Sequence, residues 1–215
     1  GEIKPDEIDQ VFFIKFINFM GERGISNITT KKHLKNLKAI LKWALDKDLH
    51  TNYKYAQECT KAMKNFVFEV NNKVYLKEKE LFALEKVDLS NYPEKHKYRD
   101  LFLFQIYTSL RYTELELLDD AIVSESTIKI YSEKNKDFVV RPINDKIHKL
   151  LIKVKQDSVY RKTIKIYNEH IKEICKLAGV DSEIFEVKYY GKKKEVIKKS
   201  KFEKISNHNA RNTFI

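Results

Sequence analysis

One apolar run constrains the fold of this chain more than any other stretch. Leu101-Phe102-Leu103-Phe104 leads, without a Gly or Pro, into Ile106-Tyr107-Thr108-Ser109-Leu110-Arg111-Tyr112-Thr113-Glu114-Leu115. A run this apolar reads as a buried helix. A basic residue, Arg111, then stands where the run ends. It is anchored by the helix behind it yet projects from its end. That suits a guanidinium aimed at a phosphate, because arginine offers a planar fork of donors that matches phosphate oxygens. Glu114, three residues on, is within reach of Arg111 if the next turn is helical. The plainer alternative is a helix corner with a surface Arg–Glu pair. A second basic cluster, His208-Asn209-Ala210-Arg211, and a lysine-bearing hairpin between the two favour the phosphate reading.

Charge points the same way. The chain of 215 residues carries 42 Lys+Arg against 31 Asp+Glu, a net charge of +11. A polyanionic partner fits, nucleic acid first, although part of the lysine excess can be ordinary solvated surface. An apolar share of 42% supports a real core, and 5 Gly with 3 Pro argue against a turn-rich β protein or disorder. No apolar run approaches membrane-spanning length and no secretory signal stands out. Cys59 and Cys175 lie far apart and outside any metal-like spacing, as free or buried thiols of a reducing cytoplasm would.

Period and breakers then divide the chain. Asp6 to Met20 predicts a helix stopped by Gly21 and Gly24, and Thr29 or Thr30 can cap a second helix running to about Asp48. Opposite its core stripe the second helix carries Lys31, Lys32, Lys35, Lys38 and Lys42, either a solvated face or a face along a DNA backbone. Residues 51–72 look irregular, and Asn71-Asn72-Lys73 suggests a linker. Beyond it, helices are expected over Leu76–Val87 and from Pro93 into Arg111, with Leu115–Leu118 continuing helically. The period then changes to alternation over Thr127–Tyr131 and, in part, over Phe138–Ile143, a β-hairpin whose loop bears Lys134 and Lys136. Helices follow, one capped by Asn144 and one from Thr163 to Ala178 closed by Gly179. Phe185 to Lys201, with Lys192, Lys193 and Lys194, reads as a basic hairpin or exposed loop. Ser206 or Asn207 caps a last helix.

The motif inventory lacks a Gly-rich phosphate loop, a His-Glu-x-x-His and paired-cysteine zinc spacing. With these residues, action on phosphates would rest on the chain's own cations; no metal or other cofactor is expected. At this point the residues resemble a family. Thr108-Ser109-Leu110-Arg111-Tyr112-Thr113-Glu114-Leu115 is similar to the Thr-Gly-Leu-Arg-x-Ser-Glu-Leu motif of tyrosine recombinases, the phage-integrase family. His208-Asn209-Ala210-Arg211 resembles that family's His-x-x-Arg, and Lys134, eight residues before Pro142, resembles its hairpin lysine. Leu76–Leu81 looks like the segment that opens the catalytic domain. Leu34–Ala44 and the insert Gly191–Lys204 look like integrases of Bacteroides-type mobile elements. Three departures stand out: Ser109 for the usual Gly, Lys77 for a capping Thr, and Asn212 where a basic residue is common.

The resemblance implies a mainly α fold with a small antiparallel β-sheet: a partial helical, SAM-like core DNA-binding domain over 1–72 and a truncated catalytic domain over 73–215. Two long helices before the linker are fewer than such a core-binding domain usually has. The implied function is site-specific recombination and integration of a mobile element through a covalent 3′-phosphotyrosine. Arg111 and Arg211 would clamp the scissile phosphate and Lys134 would protonate the leaving 5′-oxygen. His208 would hydrogen-bond the phosphate or assist proton transfer, and Glu114 would orient an arginine or the histidine. Lys31, Lys32, Lys35, Lys38, Lys42, Lys136, Lys192, Lys193 and Lys194 are the candidate DNA contacts. The implied partners are double-stranded DNA and further copies of the chain, a tetramer on DNA, in the cytoplasm at the nucleoid. The chain stops at Ile215, short of the position where the family carries its nucleophilic tyrosine, so a fragment inactive by itself is expected. The rival readings are a non-catalytic DNA-binding module and a DNA-relaxing topoisomerase of the same mechanistic class.

Overall fold

The computed structural model describes residues 3–69 and 73–213. In chain order the elements are α1 (Gln10–Glu22), α2 (Asn27–Leu45), α3 (Tyr55–Met63), α4 (Glu78–Lys86), α5 (Pro93–Thr108), α6 (Tyr112–Leu115), β1 (Ile122–Val123), β2 (Thr127–Ser132), β3 (Asp137–Pro142), α7 (Asp145–Asp157), α8 (Ile164–Leu177), β4 (Glu183–Tyr190), β5 (Lys193–Ser200) and α9 (Asn207–Thr213). They form two compact units, Gly1–Asn71 with Phe185–Lys198, and Asn72–Ile184 with Lys199–Ile215. The expected linker falls largely on residues 70–72, outside those described. Among the described residues no helix is long and apolar enough to cross a membrane.

The first unit buries Phe13 and Ile17 of α1, Leu34 and Leu41 of α2, and Tyr55, Cys59 and Ala62 of α3, with Phe66 beside them. Its third helix corrects the expectation of irregular chain over 51–72. Buried positions spaced i, i+4 and i+7 make a helical stripe, but Cys and Ala are weak markers of it. Two starts also move. Asp9 caps α1 by accepting from the Phe12 N–H at 2.8 Å, and the residues before it, Pro5–Glu7, form a separate 3-10 turn. The second helix begins at Asn27 rather than after Thr29 or Thr30. The hydroxyl of Thr30 donates back to the Ser26 carbonyl at 3.1 Å, so it sits inside the first turn instead of capping it.

The β4–β5 hairpin completes this unit. Asn27 is fully buried; its Nδ2 donates to the carbonyls of Val67 (2.9 Å) and Gly191 (2.8 Å), and its Oδ1 accepts from the Gly191 N–H (2.8 Å). The buried amide thus uses three of its four hydrogen-bonding positions on two turns of chain distant in sequence. Glycine is required on both sides of the contact. A Cβ at Gly21 would lie 2.5 Å from the Gly191 nitrogen, and Gly191 itself has a φ of +58°.

In the second unit α5 is the central element. Tyr98, Leu101, Phe102, Leu103, Phe104 and Ile106 are all buried, as a helix covered on every side requires. It packs against α7, α8 and α9. Pro93 begins it at a position where its missing N–H costs nothing. The β1-β2-β3 sheet is antiparallel, with Ile128 opposite Arg141 and Ser132 opposite Asp137. Its buried side presents Ile128, Ile130 and Val139 to the core. The two-residue strand β1 went unrecognised in the sequence. Asn144 caps α7 as expected, accepting from Ile147 N–H at 3.0 Å, and Gly179 follows α8 at a φ of +73°.

Candidate active site

The site is built where α5 stops. Ser109 ends the helix in the left-handed region, at φ 53° and ψ 23°. The turn is fixed from below: Gln105, buried in α5, donates to the Leu110 carbonyl at 3.0 Å, and its own oxygen accepts from the Tyr167 hydroxyl at 3.0 Å. Leu110 fills the core, so the next residue, Arg111, faces outward at the start of α6. Glu114 is 1% exposed and lies directly behind it. One carboxylate oxygen accepts the Arg111 backbone N–H at 2.7 Å. The other accepts Arg111 Nη1 at 2.6 Å and the Ser132 hydroxyl at 2.9 Å. Burial alone would raise the Glu114 pKa. The hydrogen bonds from Arg111 and Ser132 outweigh it and hold the carboxylate below its ordinary range.

Lys134 reaches the site from the β2–β3 loop. The Ser132 carbonyl closes that loop, accepting from Asn135 N–H at 3.0 Å and Lys136 N–H at 2.8 Å, with Lys136 at φ +53°. His208 and Arg211 come from α9, where a separation of three puts them on one face. The helix is fixed from its other faces. Asn207 donates twice to the Asn168 side chain of α8, Asn209 donates to the Val74 carbonyl at 2.8 Å, and Thr213 accepts from Leu76 N–H at 2.9 Å. Ala210 is buried among them. Arg211 Nη1 donates to the Ser109 carbonyl at 2.5 Å, which ties α9 to the turn that carries Arg111. Burial lowers the Arg211 pKa, and the neighbouring charges of Arg111 and Arg141 lower it further against the pull of Glu114. Several guanidinium groups therefore crowd one another here around a single buried carboxylate.

Arg111, Lys134, His208 and Arg211 line one cleft of about 760 Å³, together with Tyr112, Thr113, Asn207 and, at the acidic positions, Glu116 and Glu133. Residues a hundred positions apart in sequence thus meet around one space. Tyr112 offers no free hydroxyl to it, since its oxygen donates to the Lys162 carbonyl and burial raises its pKa. The remaining candidates lie elsewhere. Lys136 is exposed on the same loop as Lys134. Lys31, Lys32, Lys35 and Lys42 are exposed on α2, with Lys38 partly covered, and Lys192, Lys193 and Lys194 are exposed on the β4–β5 hairpin; all of these belong to the first unit. The sequence did not point to Ser132, Gln105 or the Ser109 carbonyl. A serine in a strand and a backbone oxygen give no pattern to read. Among the described residues no group of three His, Cys, Asp or Glu stands ready to hold a metal ion.

Residues 1–63 match the phage integrase SAM-like domain, and the helical N-terminal unit has that architecture. The whole chain, at a TM-score of 0.67 and 15% identity, has the fold of the integrase of transposon Tn1549 (residues 82–397), solved in complex with circular intermediate DNA; the match covers 100% of this chain and 73% of that one. No curated protein matches the chain in sequence. The fold is therefore mainly helical with small antiparallel sheets, a SAM-like domain followed by an integrase catalytic fold.

Proposed function

We propose that the chain is the DNA-gripping and phosphate-activating part of a tyrosine-type site-specific recombinase, the enzyme class that moves mobile elements. The observation that carries this reading is the cleft: two arginines, a lysine and a histidine, supplied by three separate elements, converge on it. In this reading Arg111 and Arg211 take the non-bridging oxygens of the scissile phosphate, and their preorganised charge stabilises the pentavalent transition state. A tyrosine oxygen, giving up its proton to solvent, forms a bond to phosphorus as the bond to the 5′-oxygen breaks. Lys134 delivers the proton that turns the leaving oxygen into a hydroxyl, and His208 assists. Glu114 keeps Arg111 aimed. Because Tyr112 is already engaged, the attacking tyrosine in this reading is one that does not line this cleft, from the same chain or from another protomer. Residues 1–72 serve as the core DNA-binding domain and 73–215 as the catalytic domain. Duplex DNA is the partner, and four copies assemble on it.

The test uses a longer form of the protein, extended past Ile215 by its own reading frame. A duplex selected for binding from random-sequence DNA is nicked so that cleavage releases the strand needed for religation. The expected result is a protein–DNA adduct stable to denaturant, lost in Arg111→Ala and in Arg211→Ala. Binding without any adduct would turn the reading to a DNA-binding module. Efficient relaxation of supercoiled DNA without a second site would turn it to a topoisomerase.

A further inference from the structure

Ser132 lies outside the group of residues that line the cleft, yet it bonds both to the carboxylate behind Arg111 and to the loop that carries Lys134. Its side chain is almost fully buried, at 1% exposure. Its hydroxyl donates at 2.9 Å to the Glu114 oxygen that also accepts Arg111 Nη1 at 2.6 Å. Its carbonyl receives the Asn135 and Lys136 N–H groups that shape the loop bearing Lys134. It is also the last residue of β2, paired with Asp137, so the loop pivots from it. From these contacts we infer that Ser132 is a positioning residue that sets Lys134 relative to Arg111, through the shared carboxylate of Glu114.

The consequence rests on the recombinase reading above. The Arg111 end holds the phosphate and the Lys134 end supplies the proton, and a donor displaced by an ångström loses much of its effect. Without the Ser132 hydroxyl, Glu114 still holds Arg111 through two bonds, so the clamp persists. The end of β2, from which the lysine loop starts, loses its tether to Glu114, while the carbonyl bonds inside the loop remain. The loss is therefore specific to proton delivery and does not extend to phosphate binding.

A change of leaving atom separates these. When the bridging 5′-oxygen is replaced by sulfur, the departing thiolate has a conjugate acid near pKa 8.5, roughly as for cysteine, and needs no proton from the enzyme. The experiment compares the wild type, Ser132→Ala, Ser132→Thr and Lys134→Ala in the extended protein on the selected duplex with oxygen or sulfur at that position. Ser132→Ala should slow adduct formation on oxygen by about 10- to 100-fold, part of the general-acid contribution, and leave the rate on sulfur within a few-fold of wild type. Ser132→Thr, which keeps the hydroxyl, should recover most of the oxygen rate, and Lys134→Ala should share the pattern of Ser132→Ala. Hydrogen exchange of the Asn135 and Lys136 amides should quicken in Ser132→Ala while that of α5 stays unchanged, which establishes that the variant is folded. Equal loss on both duplexes, or no loss on either, overturns the inference. No adduct from the wild type on either duplex overturns the recombinase reading and this inference with it.

Discussion

At the scale of single residues, Glu114 concentrates the cost and the value of the site. A buried carboxylate with three donors is held ionised by them, and each charged hydrogen bond contributes about 1.5–3 kcal/mol. Its folded pKa lies below the ordinary 4.5. Its contribution to stability is thus complete above pH 4.5 and is lost as the pH falls through the lower folded value. Glu114→Gln should lower stability by about 2 kcal/mol near neutrality. In urea unfolding the gap to wild type should close on acidification, because the wild-type group then becomes neutral too. A gap that stays constant to pH 3 would show that the carboxylate charge is not what the arginine turn uses. Ser109 is a second such point. It adopts a left-handed conformation at φ 53°, in the place where the resembling motif has glycine. Relief of that strain, ~1–2 kcal/mol, less the entropy of a freer unfolded chain, ~0.5–1 kcal/mol, predicts that Ser109→Gly raises stability by a few tenths to 1 kcal/mol. Its carbonyl, which Arg211 uses, is retained, and thermal unfolding is the measure.

At the scale of elements, what was legible in the sequence follows the strength of the apolar period. The fully buried α5, the cap at Asn144 and the β2–β3 hairpin were all readable, because long apolar runs, a capping side chain and the alternation of β2 each leave a mark. The third helix, α3, was not, since two of its inward positions are Cys59 and Ala62 and a nine-residue helix has few turns in which to show a stripe. The four basic side chains around the cleft came from short motifs. Their support from Ser132, Gln105 and the Ser109 carbonyl did not, because these act through buried polar and backbone contacts that only the folded chain brings together. The place of the β4–β5 hairpin was equally invisible, as it depends on one buried amide. Asn27→Ala would leave the Gly191 N–H and carbonyl and the Val67 carbonyl without partners. At about 1–3 kcal/mol for each stranded group, partly regained by water, the expected loss is about 3 kcal/mol. Exchange of the amides in 185–198 should quicken most. Gly21→Ala should act in the same direction, because its Cβ would meet backbone that cannot step aside.

At the scale of the whole molecule, a charge of +11 and basic side chains in both units argue for contact with many phosphates at once. If Z phosphates are neutralised, the logarithm of the binding constant should fall against log salt with a slope of about −0.9 Z. Labelled duplex titrated at rising salt should show this, and binding indifferent to salt would argue against the DNA reading. Chemistry makes a narrower demand than binding. In the recombinase reading the basic side chains of the cleft stabilise the transition state, and a nucleophile has to initiate it. Tyr112 is the tyrosine among the cleft-lining residues, and its hydroxyl is bound to the Lys162 carbonyl. Burial raises its pKa, so the phenolate needed for attack is disfavoured. These 215 residues alone should therefore bind the selected duplex yet form no denaturant-stable adduct with the nicked substrate. Mixing them with an extended protein that carries Arg111→Ala distinguishes two sources of the tyrosine. An adduct on the extended protein would mean that one protomer lends its tyrosine to the cleft of another. No adduct in the mixture, with activity in the extended wild type, would mean that cleft and tyrosine work within one protomer. An adduct on the 215-residue chain by itself would require Tyr112 to release Lys162 or another of its own tyrosines to enter the cleft, and the assignment of the nucleophile outside these residues would be wrong.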